Sequence, residues 1–182
     1  MIRTMEEAEN SAIIRVADQM VAAARTAPKG SGKDKVVSMI VTGEDKDRLS
    51  EKMHELAKDY NEQFIERDAG NVENSVAVVL IGVHSAPFGL TNCSMCGFPG
   101  CRDTVNAGAN CAFNITDLGI AIGSAVSVAA DHRIDNRVMY SVGRGAIKAG
   151  FMPHDVRVCF GIPLFTGSKS IYFDRGPGAV LR

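Results

Sequence analysis

The chain has 182 residues, of which 46% are hydrophobic and 23% charged, and its formal net charge is -1. Those values describe one soluble globular domain, 1–182, long enough to bury a sizeable core, and they exclude a disordered chain. A balanced charge gives no basic field for nucleic acid, and 3 tyrosines with no tryptophan offer few platforms for stacking bases.

In chain order, residues 5–25 place Ala8, Ala12, Ile13, Val16, Met20, Ala23 and Ala24 at helical spacing, with acidic residues near the start and Pro28 just beyond the end. This predicts a long opening helix. The stretch AARTAPKGSGKDK follows, 23–35, in which Lys29, Lys33 and Lys35 flank Gly30, Ser31 and Gly32. Such a loop could cradle a phosphate through its backbone N–H groups. It is not a Walker loop: Asp34 stands where Ser or Thr must follow the lysine, and a helix precedes it where the motif needs a strand. A solvated charged turn is the plainer use of the same residues.

Residues 36–42 read as a strand, and 44–60 as a helix with Leu49, Met53, Leu56 and Tyr60 on one face and His54 among the charges. Residues 76–83 are too short and too β-branched for a helix and predict a buried central strand. This longest apolar run is far below the roughly 20 residues that span a bilayer, so no membrane role is expected. A cysteine-rich loop, 84–111, comes next. Thr116 is placed to cap a helix running to about Ala130, small and apolar nearly all round, as suits burial between two layers or two subunits. Residues 137–142, 156–163 and 170–174 read as strands, with a helix over 143–150. The expected class is α/β or α+β, a single layered domain with a mixed sheet covered by helices.

Four of the five cysteines fall within 93–111, as Cys93, Cys96, Cys101 and Cys111 in the spacing C-x2-C-x4-C-x9-C, with Gly97, Pro99 and Gly100 among them. Glycine accepts positive φ and proline fixes turns, so such a loop can aim several sulfurs at one point. The sequence does not open with a charged segment, an apolar stretch and a cleavage site, which makes the cytoplasm the expected compartment. Thiols there stay reduced, and a cluster of them points to metal binding or catalysis rather than disulfides. Soft thiolates suit iron–sulfur clusters and zinc alike. Zinc is favoured by the opening C-x2-C, but a knuckle would want histidine where Cys101 stands, and a zinc ribbon would repeat the pair. The bacterial ferredoxin run C-x2-C-x2-C-x3-C-P is absent too, so the iron–sulfur reading rests on thiolate number and looping. Phe98 within the loop could shield such a centre from water.

Other chemical candidates have simpler uses. His84, just after the central strand, could bond a sulfur or replace Cys111 as a ligand, yet it has no ligand spacing and fits a strand end. Asp131, His132, Arg133 and Asp135 make a surface turn with local ion pairs, and His154 follows Pro153 in a loop. Cys159, between Val158 and Phe160, reads as a small core hydrophobe. Gly143 and Gly145 open a helix without the third glycine of a dinucleotide fingerprint, so helix packing is their expected use.

The segment CSMCGFPGC, from Cys93 to Cys101, resembles the C-x2-C-G-x3-C segment of four-iron four-sulfur clusters in corrinoid-linked and electron-transfer proteins of anaerobes. Cys93, Cys96 and Cys101 match in spacing and Gly97 in place, while Cys111 arrives sooner than the fourth ligand of the corrinoid-linked group. From first helix to closing strand the chain resembles a family of small prokaryotic proteins described as containing a ferredoxin domain. Its element order also resembles the flavin-dependent nitroreductase fold, in which a long first helix ends in a basic, proline-containing loop. That resemblance implies FMN shared between two subunits of a homodimer, with Arg25, Lys29, Gly30, Ser31, Gly32 and Lys33 as its binding loop. Gly32, Lys33 and Asp34 stand where nitroreductases carry polar Asn and Gln after the proline.

Two functions of different kind follow. In one, a cytoplasmic redox protein holds an iron–sulfur cluster on the four cysteines and exchanges electrons with a donor or acceptor protein, a flavin or a small molecule. A flavin-dependent oxidoreductase of nitroreductase type is a special case of it. In the other, the cysteine loop holds zinc or no metal, and the domain is a structural or regulatory binding module.

Overall fold

The structure, a computed structural model, describes residues 2–173. Helix α1 (Met5–Thr26) starts at a reciprocal cap, where Glu7 N–H donates to Thr4 Oγ1 and Thr4 N–H donates to the Glu7 carboxylate. It stops at Ala27, ahead of Pro28. A single 3-10 turn, Gly30–Gly32, leads to strand β1 (Val36–Val41). Helices α2 (Gly43–Tyr60) and α3 (Gln63–Glu73) follow, joined through Asn61 in the left-handed region at φ 54. Then come β2 (Ala77–His84), α4 (Cys101–Asn106), α5 (Ala112–Asp131), β3 (Asp135–Asn136), α6 (Tyr140–Lys148) and β4 (Val156–Phe165).

The strand order is β1-β2-β4-β3, and all three ladders are antiparallel. β2 is the centre, with Val79 opposite Ile40 on one side and Ile162 on the other. Its side chains alternate between two cores. Ala77, Val79, Ile81 and Val83 join the apolar faces of α1 and α5, while Val78 and Leu80 join those of α2, α3 and α6. Burial on both faces explains why β2 reads as an unbroken apolar run. Helix α6 lies unusually close to the sheet: a Cβ on Gly143 would stand 1.8 Å from the Cys159 carbonyl oxygen, and one on Gly145 would stand 2.5 Å from Met53 Cγ. Helix packing is what these two glycines serve.

Several expectations need correcting. The sheet expected to be mixed is antiparallel among the described residues, because two helices rather than one separate β1 from β2 and a second helix turns the chain back. That second helix, α3, has Asp68 and Asn71 buried among its apolar positions, which breaks the pattern. Thr116 does not cap α5: Cys111 does, and the Thr116 hydroxyl donates to the Ala112 carbonyl inside the helix. Residues 137–142 are not a strand, since only Met139 bridges to Gly161 before α6 begins at Tyr140. Of the closing strand expected over 170–174, residues 170–173 are irregular, with Tyr172 buried and bonded to Ser75 Oγ at 2.7 Å, and Asp174 lies outside the described residues.

Helix α5 has the length and apolarity of a membrane span, as core helices of globular proteins also do. Its inner face packs on α1 and the sheet, and Ser124 Oγ donates to the Ala23 carbonyl at 3.1 Å.

Candidate metal centre

The chain between β2 and α5 is shaped by tight turns. Asn92, Ser94 and Gly97 take positive φ, and the Gly97 N–H donates to the Ser94 carbonyl at 3.0 Å. Gly97 at φ 83 occupies a conformation that favours glycine. Gly100 then caps α4, so Cys101 is the first residue of that helix, and Cys111 is the residue that starts α5. Four cysteines far apart in spacing thereby come to line one cavity. Cys93, Cys96, Cys101 and Cys111 all line a single small cavity, walled by Phe88, Leu90, Met95, Phe98 and Phe113. Phe88 and Phe113 pack with ring centroids 5.3 Å apart. Phe98 therefore stands where a shield was expected.

Each thiol is free, Cys111 is buried, and the other three are half-buried. Among the described residues no group of three Cys, His, Asp or Glu side chains is already gathered as a metal-holding set. The sulfurs share a cavity rather than a finished coordination sphere. Their donor set fits a thiolate-bound centre nonetheless: four soft ligands, a largely apolar wall, and no carboxylate or imidazole on the lining. One outer partner is in place. Thr104, 1% exposed, sets its Oγ1 2.9 Å from Cys96 Sγ and 3.2 Å from the Gly100 carbonyl. Hydrogen bonding with that hydroxyl holds the Cys96 thiol below its ordinary value, against a smaller opposing effect of burial. Hydrogen bonds to ligand sulfurs of this kind tune a bound centre.

Cys159 lies apart in β4, 2% exposed, and burial pushes its thiol up to about 12, which suits an inert core residue. His84 turns toward Asp155, with Nδ1 3.0 Å from both carboxylate oxygens, and is not on the cavity wall. That contact holds the Asp155 carboxyl below its usual range. His54 bridges two helices, Nδ1 2.8 Å from Glu66 and Nε2 2.9 Å from Glu73.

The cationic loop after α1 looks different in space than in sequence. Lys29 Nζ donates to the carbonyls of Ala24, Arg25 and Ala27 at 2.5, 2.8 and 2.8 Å, closing the end of α1. Arg25 pairs with Asp34 at 2.6 Å. Ser31 and Gly32 take positive φ, but the Gly30 N–H already donates to the carboxylate of Asp117, at 3.1 and 3.2 Å to its two oxygens. Asp117 is 6% exposed and comes from α5. In this arrangement the Lys29 ammonium, the Arg25 guanidinium and the Gly30 amide are each engaged by the chain's own groups, while Ser31 and Gly32 shape the turn. Lys33 and Lys35 point elsewhere, over the Phe88 ring at 5.8 and 5.5 Å.

The sequence pointed to the four cysteines but not to Thr104, Phe88, Phe113 or Asp117. Asp117 carried a signal, being the one charged residue between Ala112 and Ala130 of an apolar helix. Such a residue needs a buried partner.

Helices covering an antiparallel sheet, with a thiol-lined cavity at one strand's end, define a nitroreductase-like α+β protein with a cysteine site. Among solved structures, the chain resembles a Bacteroides thetaiotaomicron protein assigned as an NADH dehydrogenase/NAD(P)H nitroreductase, with a TM-score of 0.57 at 12% identity over 86% of this chain and 75% of that one. It also resembles the NADPH:FMN oxidoreductase of Vibrio harveyi, solved with NAD+, with a TM-score of 0.52 at 17% identity over 86% of this chain and 60% of that one. At such identities the likeness is one of fold. An uncharacterized protein of Archaeoglobus fulgidus is 40% identical over 185 residues, covering 97% of this chain and 99% of its own. Residues 107–175 match the family of uncharacterized proteins containing a ferredoxin domain (DUF2148), and the chain belongs to that family. The matched stretch holds Cys111 and Cys159 but not Cys93, Cys96 or Cys101.

Proposed function

We propose that this is a redox protein of the cytoplasm that binds an iron–sulfur cluster, of four-iron four-sulfur type, through Cys93, Cys96, Cys101 and Cys111. The observation that carries the reading is the convergence of four free thiols on one aromatic-walled cavity. When bound, such a group accepts and releases single electrons. The chain's own residues do the rest. The turns at Ser94 and Gly97 orient Cys93 and Cys96, and the first turns of α4 and α5 fix Cys101 and Cys111. Phe88, Phe98 and Phe113 supply an aromatic wall, and Thr104 restrains the Cys96 sulfur. The family description and the nitroreductase-like fold support redox chemistry in general terms.

A reductive titration tests this. Protein purified without oxygen should be brown and lose its visible absorption on reduction, with an electron paramagnetic resonance signal appearing. A colourless protein carrying zinc would instead make the loop a structural site in a binding module.

The assembly we propose is a homodimer through α5. Its outward positions Ile115, Thr116, Gly119, Ile120 and Gly123 are exposed and uncharged. Light scattering on the metal-loaded protein should give twice the chain mass, and a single-chain mass at working concentration would refute the dimer.

A further inference from the structure

Phe88 both lines the cysteine cavity and packs against the cationic loop. Its ring is 5% exposed and packs so closely on Gly30 that a Cβ there would come within 2.7 Å. Lys33 and Lys35 stand over the ring, and Lys35 Nζ also donates to the carbonyls of Ala86 and Pro87, at 2.5 and 2.7 Å. Lys33 is exposed and, among the described residues, has no carboxylate partner.

Charge gathers here although the whole chain sits at -1. The two segments that meet around the ring, 25–35 and 85–112, contain the cations Arg25, Lys29, Lys33, Lys35 and Arg102 against the carboxylates Asp34 and Asp103. Asp34 is spent on Arg25, and Asp117, which faces the loop from α5, is buried on the Gly30 amide. The cavity rim is apolar and exposed, with Leu90 at 38% and Met95 at 59%. An apolar centre beside an excess of positive charge is the make-up of a transient interface, in which rim charges steer the encounter.

We infer that this face, with Leu90 and Met95 at its centre and Lys33 and Lys35 at its edge, is the docking surface for an acidic one-electron carrier protein. The inference rests on the redox reading of the cysteine cavity. The carrier's acidic character follows from charge complementarity. A cluster held by Cys93, Cys96, Cys101 and Cys111 would supply the one-electron acceptor, and this face would set the reduced carrier beside it, with no bond made or broken and no proton moved.

The test uses an acidic two-iron ferredoxin as probe, in its oxidised form, titrated calorimetrically into the anaerobically purified full chain at low salt. Basic cytochrome c serves as the control probe. Lys33→Glu should weaken ferredoxin binding about fivefold, as reversal of one exposed rim charge does. Met95→Ser should weaken it as well, and raised salt should abolish it. Lys148→Glu, an exposed change on α6 across the sheet, should leave it intact. Absence of ferredoxin binding, equal binding by Lys33→Glu, or equal binding of cytochrome c would overturn the inference. Iron and sulfide measured on the same samples keep the two readings apart. Protein that carries a cluster but ignores ferredoxin overturns the docking surface alone. Protein without a cluster that binds in the expected pattern overturns the redox reading and supports the surface.

Discussion

The loop after α1 and the loop after β2 looked equally chemical in sequence, one rich in lysine and glycine, the other in cysteine and glycine. In space they differ in what their polar groups have left to give. Lys29 is bound to three carbonyls, Arg25 to Asp34, and the Gly30 amide to Asp117. The four cysteines of the second loop are free thiols facing a common cavity, with a single outer partner at Thr104. A cluster of charged residues is weak evidence of a ligand until its groups are shown to be uncommitted. Four uncommitted sulfurs in one apolar pocket are much stronger, because burying them together without a metal gains little.

The sharpest way to break this contrast is through the sulfurs. Cys96→Ala should lose nearly all cluster iron and acid-labile sulfide while keeping its far-ultraviolet circular dichroism. Cys159→Ala, in the core of β4, should keep both metal and sulfide. Equal metal content in the two variants would place the binding site elsewhere.

The first loop should answer as structure. Asp117→Ala strands the Gly30 amide in a part-buried site, and Lys29→Met uncaps α1; each should cost about 1–3 kcal/mol, seen as a lower denaturation midpoint. Neither should change FMN binding measured by fluorescence. A Lys29→Met protein of undiminished stability that had lost FMN affinity would return the loop to a cofactor role.

A smaller effect concerns Thr104. Thr104→Val should retain iron and sulfide but shift the reduction potential to more negative values, because a hydrogen bond to a ligand sulfur stabilises the added electron. Thr104→Ser should restore it. An unchanged potential in the valine variant would reduce Thr104 to packing.

The smallest is a pH effect far from both loops. Hydrogen bonding to Glu66 raises His54 above 6.5, and the bond from His54 holds Glu73 below 4.5. A raised histidine stabilises fully below its unfolded value and loses that contribution as pH rises through the folded one, while a lowered carboxylate loses its own as pH falls. The bridge between α2 and α3 is therefore strongest between about pH 4.5 and 6.5, bounded by the ordinary values of the two groups. The melting-temperature difference between wild type and His54→Gln should shrink from pH 6 to pH 8; a constant difference would mean that His54 acts without its charge.

How much of this was readable beforehand follows the same divide between local and distant causes. α1 and α2 were legible because one core face sets the apolar periodicity of each, and β1, β2 and β4 because their short β-branched runs are buried in the sheet. α3 was not, since buried Asp68 is satisfied by Arg67 beside it and by Ser141 from a distant helix. The residues 137–142 mimic a strand by β-branching, yet the chain turns helical at Tyr140, where Gly143 permits close approach to β4. The cysteines were legible as a cluster. Placing α5 at Thr116 hid the fact that Cys111 starts that helix. Phe88, Thr104 and Asp117 act through partners in other segments, so spacing alone could not name them.

The central claim is that the cavity holds a cluster, and the direct test is iron, acid-labile sulfide and zinc per chain, measured on protein purified without oxygen. Near-equal, cluster-level iron and sulfide, with zinc absent, is the result this account expects. Stoichiometric zinc without sulfide, or no metal at all, would contradict it.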